Sequence, residues 1–467
     1  MTPQVAAVSA ERGEAAWSLA DGLTLAARGD GTMFIALPAP VVPVTAVLAA
    51  WPTSAPAMAW SHGELSLVGL GVACELRGSG AERFAEVVAA ARHLFPDARA
   101  DRAIVGGAQV PTSALGFARP RFLGGAAFAP GTADRAPWTG FGDAWFALPR
   151  WTYVHDGTHA WLVLAVEPRE ASDERWPAEH ALIRAGLETP WSTKLQPPMR
   201  DAVRGDVATW HAQVTDITDA IARGEFAKIV AARTCVLTLA GDARAADLLA
   251  TLDERHAECA RVLVRPPGGG SLIAATPERL VQRDGDTVSC DALAGTIARG
   301  DAASETLRAS DKDRREHALV VSAIASALES VGAKVTLPAE PGIRQLRHVL
   351  HLHTPVHATL REPRHLLELA ARPHPTPAVG GTPQREAVAW IAAHEPIARG
   401  WYAAPVGWFD LDGNGELCIA IRSGLLLGPR VHLWAGAGIV AGSDPDRELA
   451  ETDVKLRAML GALGAPA

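Results

Sequence analysis

Lysine, glutamate and histidine recur in this chain at spacings that could do chemistry. Lys228, in "EFAKIVAAR" (225–233), stands at the head of a run of small and branched apolar residues. A buried ammonium is costly unless it is paired or gives up its proton, and a lysine at the surface end of a strand is the ordinary alternative. Glu448 and Glu451 lie three apart in a helical segment and can face one way. Glu316 sits beside His317 in another such segment. Three carboxylates of this kind could converge on a hard divalent cation such as Mg²⁺, which takes oxygen ligands and keeps several waters; solvated helix faces show the same spacing. Arg422, after "CIAI", and Lys455, one turn past Glu451, offer positive partners for a substrate carboxylate, or plain surface charge.

The histidines of "HVLHLHTPVH" (348–357) invite a zinc reading, because His351, His353 and His357 share one face of a strand. Zinc needs a closed set of three or four ligands, and spacing alone does not supply one. "VGG" and "AGAGIV" match neither dinucleotide nor P-loop patterns. The serine-hydrolase GxSxG is missing as well.

The elements that must hold these residues are strand-rich. Between 20 and 165, short apolar or alternating segments ("TMFIALP", "LSLVGLGVACEL", "RAIVGGAQV", "RFLGGAAFAPG", "AWFALPRWTYVHDG", "HAWLVLAVEP") are interrupted by one helical pattern, "AERFAEVVAAARHLF". Helical spacing fills roughly 200–232, with Gly224 as a stop before a strand. A hairpin is expected around Asp284–Gly285, then a long helix through "SDKDRREHALVVSAIASALES". The segment from "GWYAAPVGWF" to "AGAGIV" reads as three strands, between the helices "REAVAWIAAHE" and "PDRELAETDVKLRAML". Strand groups with few regular βαβ units argue for an α+β or mixed sandwich. We expect one large catalytic domain over 1–467, whose C-terminal half carries most of the site.

Composition narrows the function classes. With 48% hydrophobic and 21% charged residues the chain is globular. A net charge of -8 gives no basic footprint for nucleic acid. The five cysteines are odd in number, widely spaced and without a CxxC pair, which fits free thiols in a reducing compartment. The start carries no secretory pattern, and the apolar stretches are broken well short of the roughly 20 residues of a membrane span. A cytoplasmic protein without membrane or nucleic-acid partners is expected.

Nine separated motifs, in order, carry a resemblance: "KIVAAR", "TPERLV", "ALAGTIARG", "DKDRREHALVV", "HLHTP", "HPTPAVGG", "ARGWYAAPVGW", "AIRSGLL" and "AGAGIVAGSDPDRELAETDVK". Over 200–460 the chain resembles the chorismate-utilising enzymes, and among them the isochorismate synthases; 1–199 looks like that family's variable half. The resemblance implies two large antiparallel sheets packed as a sandwich with surrounding helices. It implies that Lys228 activates water and that Glu278 protonates the departing hydroxyl. Glu316 and Glu451 match Mg²⁺-binding carboxylates, with Glu448 nearby or acting through water. His351 and Thr354 fall on the substrate-side segment. Arg422, the Gly436–Ala437–Gly438 backbone and Lys455 match positions that hold the carboxylates of chorismate, and Tyr402 belongs to the same pocket-forming block.

The "ALAGT" motif separates the branches. Aminodeoxychorismate synthases carry an amine nucleophile where this chain has Ala294, beside Gly295 and Thr296. Anthranilate synthases usually lack a lysine at the place of Lys228 and use ammonia from a glutaminase partner. The resemblance therefore implies water as nucleophile, isochorismate as product, a monomer, and no glutaminase subunit. A salicylate synthase, which goes on to eliminate pyruvate, ranks second. A noncatalytic chorismate-binding protein is a third reading, and the intact Lys228, Glu278 and carboxylate set count against it. Menaquinone, salicylate and catechol-siderophore routes all use isochorismate.

Overall fold

The structure, a computed structural model, describes residues 18–29, 31–94, 119–189, 191–347 and 349–465, together with the backbone of 103–105. Strand Ala160–Val166 shows how the layers arise. Trp161, Val163 and Ala165 face one apolar cluster, whereas Leu162, Leu164 and Val166 face another. A strand buried on both faces needs apolar residues at every position, and "AWLVLAV" supplies them. The first cluster is the filling of a two-sheet sandwich and includes Phe122, Trp145, Phe146, Ile229, Val264 and Phe409. The second lies between the larger sheet and helices such as Val44–Ala50, Arg175–Glu188, Ala245–Arg255 and Pro445–Ala462.

Among the described residues the larger sheet has 13 strands and the smaller 10. All pairings are antiparallel except Met33–Ala39 with Ala103–Val105. Both sheets draw on both halves of the chain. In the larger, Ala260–Arg265 pairs with Ala57–His62 from the N-terminal half; in the smaller, Pro405–Asp410 pairs with Arg121–Ala126. This is the expected antiparallel sandwich with surrounding helices.

Several local expectations change. Besides the one helical pattern expected between 20 and 165, Val44–Ala50 is a short helix whose Val44, Val47 and Leu48 enter the core. Met199–Arg204 is a strand, and the following helix is confined to Val207–Ala222 between an Asp206 cap and Gly224 at φ +78°. The expected three strands near the C-terminus are four: Pro405–Asp410, Gly415–Ile419, Ser423–Leu427 and Arg430–Ile439. The added break falls at Arg422, in the left-handed region at φ +49°. Of "RAIVGGAQV", only the strand Ala103–Val105 lies within the described residues.

Candidate active site

Strand Lys228–Leu239 begins with the lysine itself, held on one side by Gly381–Thr382 and on the other by Arg430–Ile439. Its side chain is fully buried. Nζ lies 2.8 Å from Glu316 Oε1, within ion-pair distance though off the angle of a hydrogen bond. Glu316 comes from helix Asp311–Glu329, capped by Ser310 and packed on the strands Thr287–Ala298 and Val349–Thr359. Burial pushes the Glu316 carboxyl up, but Lys228 outweighs it and holds the group below its ordinary range. The close approach depends on Gly438: a Cβ there would lie 2.3 Å from Glu316 Oε1 and 2.8 Å from Lys228 Cε. The lysine is thus a paired interior residue, which answers the choice left open by its sequence.

A pocket enclosing about 790 Å³, open at its mouth, lies beside this pair. Glu278, Glu316, His351, Tyr402, Arg422, Glu451 and Lys455 all line it, with Ala294, Gly295, Thr296, Gly436 and Gly438. Glu278 follows strand Ser271–Thr276, and its backbone is tied to Ile419 and the Thr276 hydroxyl. Burial pushes its carboxyl up to about 7, against the pull of Lys228 and Lys455. A carboxylic acid that still holds its proton near neutrality can act as a proton donor.

Gly295 is an extra residue in the ladder between Thr287–Ala298 and Val349–Thr359, where the register slips between Ala294 and Thr296. It takes φ +74°, natural for glycine. The bulge sets Thr296 opposite His351, whose Nδ1 lies 3.0 Å from Thr296 Oγ1. Nε2 of His351 lies 2.9 Å from Arg422 Nη2. Burial, with Arg422 beside it, pushes this histidine well below its usual range, so it is neutral and accepts from the guanidinium. Arg422 is thereby aimed from a backbone conformation uncommon for a non-glycine residue.

The acidic groups are interleaved with lysines. Lys455 Nζ lies 2.7 Å from Glu451 Oε1 and donates to the Gly436 carbonyl at 2.8 Å; Lys312 Nζ lies 2.6 Å from Glu448 Oε1. Burial pushes Glu451 up, Lys455 opposes it, and Glu316 and Glu448 add repulsion. Asp313 is likewise raised, by burial and by Glu316. Among the described residues, no three His, Cys, Asp or Glu side chains are grouped as a ready metal site. The donor chemistry nevertheless fits a hard cation: Glu316 and Glu451 present crowded carboxylate oxygens to the pocket, and Mg²⁺ needs only one or two carboxylates plus water and substrate oxygens.

Four of the residues singled out in the sequence do not line the cavity. Lys228 stands behind Gly438 and Glu316; Glu448 turns to Lys312. Ala437 is buried in the sandwich core, and Thr354 accepts or donates at 2.7 Å to His317 Nε2. The three histidines part company: His351 faces Arg422, His353 meets Asp291 at 2.6 Å, and His357 is exposed near Ser289.

The family model for chorismate binding enzymes matches residues 27–464. The chain belongs to the chorismate-binding enzyme family. It is 36% identical over 438 residues to the salicylate biosynthesis isochorismate synthase of Pseudomonas aeruginosa, covering 90% of this chain and 87% of that protein. It is 32% identical over 424 residues to isochorismate synthase MenF of Bacillus subtilis, covering 87% of each. Among solved structures, MenF, the menaquinone-specific isochorismate synthase from Escherichia coli, superposes with a TM-score of 0.77 at 26% identity, over 95% of this chain and 99% of that one.

In this member of the chorismate-binding family, sequence reasoning missed Arg399. Its buried guanidinium pairs with Glu395, donates to the carbonyls of Val379 and Val230 at 2.6 and 2.8 Å, and lies 4.4 Å from the Phe128 ring. It joins the proline-rich loop "HPTPAVGG" (374–381), through Val379, to the Lys228 strand and lines the pocket. The signal was the Glu395–Arg399 spacing of four. Lys312 and Glu448 are 136 residues apart, so no local pattern announces that pair.

Proposed function

We propose that this protein is an isochorismate synthase: it converts chorismate to isochorismate by adding water at C2 as the C4 hydroxyl leaves. The observation that carries the reading is Glu278, a buried carboxyl in the pocket whose proton is retained up to about pH 7. Glu278 donates that proton to the departing hydroxyl. Lys228 takes the proton of the incoming water as a neutral amine, so before that step its own proton must pass to Glu316 or to solvent and the ion pair between them must open. Arg422, oriented by neutral His351, and Lys455, beside the Gly436 carbonyl, hold substrate carboxylates. Ala294 brings no amine to the place where the aminodeoxychorismate synthases carry their nucleophile, which favours water as the incoming group.

In this proposal Glu316 and Glu451 hold Mg²⁺, with Glu448 close by. Bound there, the ion would supply positive charge that offsets the crowded carboxylates and attracts a carboxylate of chorismate. The same reading has the chain act alone, as a cytoplasmic monomer without a glutaminase subunit. Among the described residues no helix is long and apolar enough to cross a membrane.

The test is turnover of chorismate with product analysis, with and without Mg²⁺. Isochorismate is expected as the main product, lost on chelation and restored by Mg²⁺. Full turnover in a metal-free preparation would overturn the metal assignment. Anthranilate or aminodeoxychorismate formed with ammonium would overturn the product assignment, as would salicylate with pyruvate as the main products.

A further inference from the structure

Two neighbouring strands whose ends reach the pocket are paired over only part of their length. Arg279–Asp284 and Thr287–Ala298 form ladder pairs at Gln282–Ser289, Arg283–Val288 and Asp284–Thr287. Beyond Gln282 no backbone pair joins them, and there Pro277, Glu278, Leu293 and Ala294 line the cavity. Side chains bridge the opened ends instead. Arg279, one residue after Glu278, places Nη1 3.7 Å from Asp291 Oδ2 and donates from Nε to Glu416 Oε1 at 2.7 Å. Each carboxylate also meets a histidine: His353 Nε2 lies 2.6 Å from Asp291 Oδ1, and His62 Nδ1 lies 2.7 Å from Glu416 Oε1. Asp291 and Glu416 are 7% and 5% exposed, so both carboxylates are interior, while Arg279, His353 and His62 are partly exposed.

We infer that Asp291, clamped between His353 and Arg279, is a positioning residue for Glu278: it spans the opened strand ends and fixes a negative charge beside the acid. The charges that face Glu278 explain the need. Lys228 from its strand, Lys455 from the final helix and Arg422 from the turn after Gly415–Ile419 are all positive and draw the proton away. Tyr402 and Cys418, also nearby, are pushed up by burial and stay neutral. Burial opposes the three cations most strongly, and Asp291 adds a negative charge on the same side. Burial pushes Asp291 up, but His353 and Arg279 overcome it and keep the group ionised. Without that charge, burial alone of the factors that raise Glu278 would hold its proton against the three cations.

The inference rests on Glu278 serving as the proton donor, and the experiment separates the two claims. The Glu278 carboxyl is titrated by infrared difference against Glu278→Gln, and kcat/KM is followed from pH 5.5 to 9. Both are measured in the parent, Asp291→Asn and Asp291→Glu. A general acid must be protonated, so activity falls as pH rises through its titration. Removing Asp291's charge should move the Glu278 titration and the alkaline limb together to lower pH, by about one unit. That is about a tenfold loss of kcat/KM above the limb and a smaller loss below it. Asp291→Glu keeps the charge and should hold the limb in place whatever it does to the rate. If Asp291→Asn does not fold, Asp291→Ser, which removes the same charge with a smaller side chain, should give the same shift. An unmoved Glu278 titration in the folded variant overturns the inference, even where turnover drops at every pH. Parental turnover in Glu278→Gln overturns the proton-donor reading instead.

Discussion

At the scale of single residues, the site sets two neighbouring acids at opposite ends of their range. Glu278 and Glu316 are both buried, and burial alone would push both up. Glu316 has Lys228 at 2.8 Å and is pulled below its ordinary range, whereas Glu278 has no cation in ion-pair contact among the described residues and rises to about 7. That contrast assigns the donor: only the group still protonated near neutrality can give a proton to a leaving hydroxyl. Two outcomes follow. The parent's kcat/KM should decline as pH rises above about 7 as Glu278 ionises, and Glu278→Gln should abolish that limb along with most of the turnover. Lys228→Ala should cost about 10²–10⁴ in rate through the lost proton transfer. A steady-state pH series on folded protein checks both, and near-parental turnover of Lys228→Ala would remove the lysine from the mechanism.

At the scale of elements, three backbone features place these side chains: the Gly295 bulge, the left-handed turn at Arg422, and Gly438 in the strand Arg430–Ile439. Gly438→Ala should be the cleanest test, because its Cβ would enter the space of Glu316 Oε1 at 2.3 Å while the strand remains a strand. The expected result is a protein that folds but loses at least about tenfold in kcat, since the displaced carboxylate breaks its pairing with Lys228 and a misplaced catalytic group is costly. Retained kcat in a folded variant would show that the pair tolerates displacement. Here the limits of sequence reading are physical. Helix Asp311–Glu329 and the final helix were legible from their helical patterning, and the hairpin from Asp284–Gly285. The split at Arg422 was not, because no local rule predicts that an arginine will adopt φ +49°. Likewise Lys228 could not be told from a surface lysine, since its partner is 88 positions away and its burial is decided by Gly438 and the proline-rich loop.

At the scale of the molecule, the division at about residue 200 is visible in sequence but does not mark a break in the sheets. Strand Ala260–Arg265 has Ser271–Thr276 on one side and Ala57–His62 on the other, and Pro405–Asp410 has Gly415–Ile419 and Arg121–Ala126. A fragment of residues 200–467 would leave both Ala260–Arg265 and Pro405–Asp410 as open edges in the middle of their sheets. It would also uncover the faces that Phe122, Trp145 and Phe146 cover in the shared core. Open apolar edges template association with other chains, and Arg399 would lose the Phe128 ring it stacks against. The fragment is therefore expected to be insoluble or to lack a cooperative thermal transition, although it holds every residue assigned to the chemistry. Expressing it alone and alongside residues 1–199, then comparing calorimetric unfolding and chorismate turnover with the whole chain, tests this. A cooperatively folded, active fragment would show that the N-terminal strands are dispensable. Recovery of activity only when both pieces are present would show that the catalytic half depends on the strands it borrows.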